Sequence, residues 1–233
     1  MNVVISGASK GIGKAIAESF AAEGNNLFIC ARNEITLYNT VAALQLKYPE
    51  STINARVADM SKKEEVQKFG QWILSKVATI DVLVNNAGKF IPGSIFSEEE
   101  GMLEQMIDTN LYSAYHLTRT LLPVMIHHKR GHIFNICSIA SLQAYPNGGS
   151  YSISKYALMG FSKNLRNELM PHHIKVTAVY PGAVLTDSWV GFDNTTKRIM
   201  EADDIAITIL AATKLTGQAV IEDIVIRPLL GDL

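Results

Sequence analysis

Short runs rich in valine and isoleucine alternate along this chain with longer stretches of helical periodicity, and that alternation confines it to a narrow set of folds. The apolar runs lie at 2 to 6 (NVVIS), 26 to 31 (NLFICA), 53 to 58 (INARVA), 81 to 86 (DVLVNN), 131 to 137 (GHIFNIC), 175 to 180 (KVTAVY) and 219 to 226 (AVIEDIVI). Helical patterns fall between them, near 12 to 23, 34 to 47, 62 to 78, 98 to 128, 150 to 170 and 202 to 213. Strand, helix and strand in that order form a βαβ unit, and repeating it builds a parallel sheet covered by helices. The expected fold is therefore α/β: a single doubly wound domain over residues 1 to 233 with a seven-stranded parallel sheet. Ser61, Ser97 and Asp203 place oxygen atoms where helix starts expose N–H groups. No linker, low-complexity tract or solenoid-length repeat breaks the order.

Composition serves mainly to exclude. With 48% hydrophobic and 18% charged residues, the 233-residue chain suits one compact core. A net charge of -1 gives no reason to expect nucleic acid or an anionic membrane as partner. The longest apolar runs, such as IAITILAA at 205 to 212, are well short of the ~18 residues that suggest a membrane span. The chain opens directly on a strand, MNVVISG, so no export signal is expected. Cys30 and Cys137 both sit in apolar strands, the pattern of buried structural thiols in a reducing cytoplasm.

Directly after the first strand comes SGASKGIG, which leads into the amphipathic stretch KAIAESFAAEG. Glycines at 7, 11 and 13 permit a tight turn and close approach of a pyrophosphate, while the helix that follows aims N–H groups and its positive dipole end at the phosphates. The loop residues Gly7, Ser9, Lys10, Gly11, Ile12 and Gly13 are thus candidate dinucleotide contacts. NAD-type sites carry a carboxylate at the end of the second strand. Here that position is Ala31, followed by Arg32 and Asn33, and Lys10 adds a second cation in the glycine loop. The pair favours the 2′-phosphate of NADP(H) over NAD; the alternative is that both are ordinary solvated charges.

Downstream, SYSISKYALMGF sets Tyr151 one helical turn before Lys155, about 6 Å along the axis at ~1.5 Å rise per residue, with Ser138 closing the HIFNICS run. A phenol that titrates near ~10 needs a neighbouring cation to act as an acid-base group at neutral pH, and Lys155 is placed to lower its pKa.

Taken in order, SGASKGIG at 6 to 13, Asp59, NNAG at 85 to 88, Asn110, Ser138, YSISK at 151 to 155 and PGAVLT at 181 to 186 resemble the short-chain dehydrogenase/reductase family along essentially the whole chain. The resemblance implies a Rossmann fold and a carbonyl reductase or alcohol dehydrogenase. It makes Tyr151 the proton donor, Lys155 the residue that tunes it and binds the nicotinamide ribose, and Ser138 the hydrogen-bond partner of the substrate oxygen. Asn110 would help hold a water on a proton path; the alternative is a surface helical amide. It also implies adenine contacts at Asp59 and Met60, with a helix cap as the other reading of Asp59. Asn86, Ala87 and Gly88 would line the adenosine ribose, and Asn85 would tie neighbouring strands. Pro181, Gly182, Val184 and Thr186 would hold the nicotinamide carboxamide. The resemblance further implies a homodimer or homotetramer acting on a small-molecule substrate.

The expected activity is reduction of a ketone, aldehyde or diketone by an NADP(H)-dependent oxidoreductase. The alternatives are an NAD-dependent alcohol dehydrogenase of the same fold and a nucleotide-binding regulatory or scaffold protein without turnover. Phe90, Gln143, Tyr145, Trp189 and Phe192 are candidates for the pocket mouth. The tail VIEDIVIRPLLGDL resembles sepiapterin-reductase-like carbonyl reductases, so a pterin-type diketone joins 3-oxoacyl thioesters, sugars and xenobiotic carbonyls as candidate substrates. His127-His128 and His172-His173 lack the spacing and companions of a metal site, and Ser138 lacks the GxSxG elbow of a hydrolase.

Overall fold

A computed structural model describes residues 1–186, 189 and 191–231. Seven parallel strands form one sheet: β1 (Asn2–Ser6), β2 (Asn26–Ala31), β3 (Thr52–Val57), β4 (Val82–Asn85), β5 (His132–Ile136), β6 (Lys175–Pro181) and β7 (Asp223–Ile226), in the order β3-β2-β1-β4-β5-β6-β7. The helices are α1 (Gly11–Ala22), α2 (Glu34–Lys47), α3 (Lys63–Leu74), α4 (Met102–Ile107), α5 (Ser113–His128), α6 (Gly149–Leu169) and α7 (Ala202–Thr213).

Strand periodicity explains how the two faces are covered. Successive side chains point to opposite sides of a strand. Val3 and Ile5 of β1, Leu27 and Ile29 of β2, and Val82 and Val84 of β4 therefore join one core with Ile16 and Phe20 of α1, Leu37 of α2 and Ile209 of α7. Val4, Phe28 and Leu83 face the other way, into a second core with Phe69 of α3, Leu117 and Leu121 of α5 and Leu165 of α6. Because helices cover both faces, the central strands are buried almost throughout and mostly apolar, whereas the edge strands β3 and β7 keep exposed positions.

The elements differ from the sequence expectation at their ends, each time for a local reason. β7 is only four residues long. Ahead of it, Ala219 N donates to Thr216 O in a turn, the Ile221 carbonyl accepts from Thr177 Oγ1 at 2.5 Å, and the Glu222 carbonyl is shared between Ala178 N at 3.0 Å and Arg166. Ser61 does not cap α3: its hydroxyl donates to Asp59 Oδ1 at 2.8 Å, and the helix starts after Lys62. Ser97 does not start a helix either, since Gly101, with φ +84°, delays α4 to Met102. Asp203 lies in the first turn of α7, but the capping box is made by Glu201 and Asp204. The expected long helix over 98 to 128 is two helices joined by a π-helical turn, Asp108–Tyr112.

Polar groups cross the second core in a ladder. Asn85 Nδ2 donates to Thr118 Oγ1 at 2.9 Å and Asn135 Oδ1 at 2.8 Å; Asn135 Nδ2 donates to Ser162 Oγ at 2.8 Å, which in turn donates to Leu158 O at 2.8 Å. The ladder ties β4 and β5 to α5 and α6, as expected of Asn85. At the opposite end of β5, His132 is buried against Phe134, with its Nε2 2.7 Å from Thr177 Oγ1. Burial, aided by the charge of Lys175, pushes its pKa from 6.5 down to about 3. On acidification the unfolded chain therefore binds a proton that the folded chain refuses. Stability from this group should be complete above pH 6.5 and fall by about 1.4 kcal/mol per pH unit as pH drops toward 3. Chemical denaturation at several pH values should show that slope, and His132→Leu should flatten it; an unchanged slope in the variant would assign the acid lability elsewhere.

Candidate active site

The sheet order reverses between β1 and β4, and ligands of open α/β sheets bind outside the carboxyl ends of strands at such a point. Ser6, at the end of β1, stitches this junction. Its buried hydroxyl accepts from the N–H groups of Asn86 and Ala87, both at 3.0 Å. In return Asn86 Nδ2 donates to the carbonyls of Ser6 and Gly7, both at 2.9 Å. The glycine loop is thereby held by the loop after β4, and by Thr40 of α2, whose hydroxyl donates to Ser9 O at 2.9 Å.

Two features of this loop suit an anion. A Cβ at Gly13 would overlap the Gly7 carbonyl oxygen and Asn86 Nδ2, so α1 starts hard against the loop, and Gly7 takes the left-handed φ of +67°. The α1 terminus has no side-chain cap and no acidic residue in its first turn, which leaves first-turn N–H groups without an intrahelical acceptor. A cleft of about 970 Å³ opens there. It runs past Arg32, Asn33, Asp59 and Met60 at one end to Ser138, Tyr151 and Lys155 at the other. Every cofactor-contact residue expected from the sequence lines it: Gly7, Ser9, Lys10, Gly11, Ile12, Gly13, Arg32, Asn33, Asp59, Met60, Asn86, Ala87, Gly88, Tyr151, Lys155, Pro181, Gly182, Val184 and Thr186. Asp59 accepts from both Ser61 N and Ser61 Oγ rather than capping α3. Burial raises its pKa, but those bonds and the charges of Arg32 and Lys62 outweigh it and hold the carboxyl below its ordinary range.

At the other end, Ser138 stands just beyond β5, where its Oγ accepts from Ala140 N at 3.1 Å and caps a short 3₁₀ turn, Ile139–Ser141. Tyr151, in the first turn of α6, meets Phe90 edge to face at 4.8 Å between ring centroids. Burial pushes its phenol up to about 12, partly offset by a hydrogen bond with Ser138. Lys155 is buried, donates from Nζ to Ile136 O at 2.8 Å and sits 5.8 Å from the Tyr151 ring centroid. Burial pushes its pKa down to about 8. The lowering of the tyrosine by Lys155 expected from the sequence is not found: desolvation drives both groups toward their neutral forms, and the only offset at Tyr151 is the hydrogen bond with Ser138.

Asn110 does not line the cleft; it lies behind it, 1% exposed, in the π turn. Its Oδ1 accepts from Lys89 N at 2.7 Å, and its Nδ2 donates to Lys89 O at 3.0 Å and to Ser154 Oγ at 2.8 Å. Ser154 Oγ donates in turn to Tyr151 O at 2.7 Å. Asn110 thus locks the loop after β4 onto the helix that carries Tyr151 and Lys155. Phe90, Gln143, Tyr145 and Trp189 line the mouth; Phe192 does not, and packs against Trp189 at 5.3 Å instead. Sequence reasoning missed Ser6 and Ser154 as members of the site. Both stand inside quoted motifs, SGASKGIG and YSISK, but local spacing does not reveal a partner some 80 residues away, as Asn86 is from Ser6.

Among the described residues, no group of three or more histidine, cysteine or carboxylate side chains could hold a metal, and no helix is long and apolar enough to cross a membrane. Cys30 and Cys137 are free and buried, with thiols pushed by burial up to about 12 and about 11.

The sheet, the glycine turn and the cleft at the switch point define a nucleotide-binding α/β oxidoreductase architecture. The short chain dehydrogenase family profile matches residues 1–197. Dehydrogenase/reductase SDR family member 7B of Xenopus tropicalis is 33% identical over 225 residues, covering 90% of this chain and 73% of that protein. The monensin polyketide synthase putative ketoacyl reductase of Streptomyces virginiae is 39% identical over 185 residues, covering 78% and 70%. A metagenomic short-chain oxidoreductase solved in complex with NADP is 29% identical and superposes with a TM-score of 0.84 over 98% of this chain and 96% of that one. The chain belongs to the short-chain dehydrogenase/reductase family of oxidoreductases.

The crowding at Gly13 is testable without any ligand. Gly13→Ala should cost about 1–3 kcal/mol of stability by forcing the loop and helix apart, read as an earlier urea midpoint. A wild-type midpoint would mean that the loop yields to a methyl group.

Proposed function

We propose that the protein is an NADP(H)-dependent carbonyl reductase that converts a ketone, aldehyde or diketone to an alcohol. The observation that carries this reading is the single cleft joining Arg32 and the glycine loop to Ser138 and Tyr151. The uncapped start of α1 and the Cβ-intolerant Gly13 fit a pyrophosphate. Residues 7 to 13 would cradle it. Lys10, Arg32 and Asn33 would meet a 2′-phosphate, Asp59 and Met60 the adenine, and Asn86, Ala87 and Gly88 its ribose. Lys155 and Tyr151 would hold the nicotinamide ribose, and Pro181, Gly182, Val184 and Thr186 the carboxamide.

When bound, the dihydronicotinamide would supply a hydride to the carbonyl carbon. Tyr151 supplies the matching proton to the oxygen: a phenol pushed up to about 12 is fully protonated at neutral pH and stands ready as a donor. Ser138 hydrogen-bonds the oxygen as charge develops on it. Lys155, near its own titration point at about 8, places positive charge beside the phenolate left after transfer. Asn110 acts through Lys89 and Ser154 to hold these groups in register. The NADP complex of the metagenomic neighbour and the ketoacyl reductase among the relatives support cofactor and reaction class. Phe90, Tyr145 and Trp189 at the mouth favour a substrate with flat or apolar bulk. The chain acts as one domain, as a homodimer or homotetramer in the cytoplasm.

Tyr151→Phe should reduce kcat about 10²–10⁴-fold, followed as loss of NADPH absorbance with a panel of ketones, aldehydes and diketones. Equal NADPH consumption by wild type and variant would remove Tyr151 from the chemistry. Arg32→Asp should shift the ratio of kcat/KM for NADPH over NADH toward NADH by about 10- to 100-fold, the scale of a lost charge-assisted contact. An unmoved ratio would end the 2′-phosphate assignment.

A further inference from the structure

The helix that carries Tyr151 begins without a capping side chain of its own: Gly148 precedes it and offers none. Tyr151 is only its third residue, in the turn where N–H groups lack intrahelical acceptors and helices fray. The missing acceptor comes from 52 residues away. Both carboxylate oxygens of Glu98 accept from Ser150 N, at 3.1 and 3.2 Å. Ser150 is itself buried, so water is a poor substitute for that carboxylate.

The surrounding backbone is shaped to admit Glu98. A Cβ at Gly149 would lie 2.5 Å from Glu98 Oε1 and would overlap Gly93 O, and a Cβ at Gly93 would lie 2.9 Å from Glu98 Cγ. Asn147, at φ +58°, turns its segment back so that its carbonyl accepts from Gly93 N at 3.0 Å and its Oδ1 from Ser94 Oγ at 2.8 Å. The loop after β4 and the loop before α6 are thus buckled together at three points. The first supplies Phe90 and the second Gln143 and Tyr145 to the mouth of the cleft.

We propose that Glu98 is a positioning residue for Tyr151, a long-range cap that holds the first turn of α6 and the two mouth loops in the geometry of proton transfer. The inference rests on the reductase reading above. Glu98 does not line the cleft, and the glycine loop and Lys155 keep their own anchors, so its loss should act on turnover far more than on nucleotide binding. A displacement of about 1 Å in a catalytic group can cost on the order of 10²-fold in rate.

The test uses the full-length protein, NADPH and the best carbonyl substrate of the panel. Glu98→Ala should lower kcat about 10- to 100-fold while the Kd for NADPH, measured by fluorescence titration, stays within twofold. Glu98→Gln, which keeps one acceptor oxygen, should recover kcat to within about threefold of wild type. Amide hydrogen exchange at residues 149 to 152 should be at least 10-fold faster in Glu98→Ala than in wild type. Wild-type kcat in Glu98→Ala, a fall in NADPH affinity that parallels kcat, or a Gln variant as impaired as Ala would each overturn the proposal. Should wild type reduce no carbonyl, the reductase reading falls by itself, and the exchange rates still decide the cap: unchanged protection at 149 to 152 would overturn it.

Discussion

The site depends on the stitch between β1 and β4. The Asn86 amide holds the carbonyls of Ser6 and Gly7, while the Ser6 hydroxyl takes the N–H groups of Asn86 and Ala87. Four hydrogen bonds satisfy backbone groups that a strand end would otherwise bury without partners. They also fix the glycine loop against the loop that leads to Lys89, and Lys89 is the backbone that Asn110 grips. Through Ser154 the chain of contacts reaches Tyr151. The two ends of the cleft, at the glycine loop and at Tyr151, are therefore parts of one hydrogen-bonded frame.

Within that frame, desolvation dominates the electrostatics. It pushes the Tyr151 phenol up and the Lys155 ammonium down, in each case toward the neutral form. A bare reading of spacing treats the two as a cation that helps ionise a phenol. The buried geometry describes instead a phenol kept protonated and a cation held close to its own titration, with Ile136 O as its fixed acceptor.

Much of this was legible in the sequence. All seven strands overlap the Val/Ile-rich runs, since strands covered by helices on both faces are mostly apolar, although the last strand is shorter than its run. The glycine loop, Arg32, Asp59, Tyr151 and Lys155 all line one cleft at the carboxyl end of the sheet. What escaped were partners rather than places. Ser61 looked like a cap and spends its hydroxyl on Asp59; α6 takes its acceptor from Glu98, 52 residues away. Such choices depend on tertiary proximity, which neither propensity nor period encodes. Nor was the break at 98 to 128 read, although its residues, DTNLY, are mostly weak helix formers: propensity does not say whether such a stretch ends a helix or widens one turn of it.

That π turn has a consequence for how the segment is organised. An extra residue in an α-helix rotates everything after it by about 100° about the axis. By housing the change of phase in Asp108–Tyr112, the chain turns Asn110 toward Lys89 and Ser154 while Leu117, Leu121 and Met125 keep their own bearing on the core. The segment is set like two shafts keyed at different angles: α4 and α5 each face their own neighbours, and the widened turn between them carries the amide that must point away from the core.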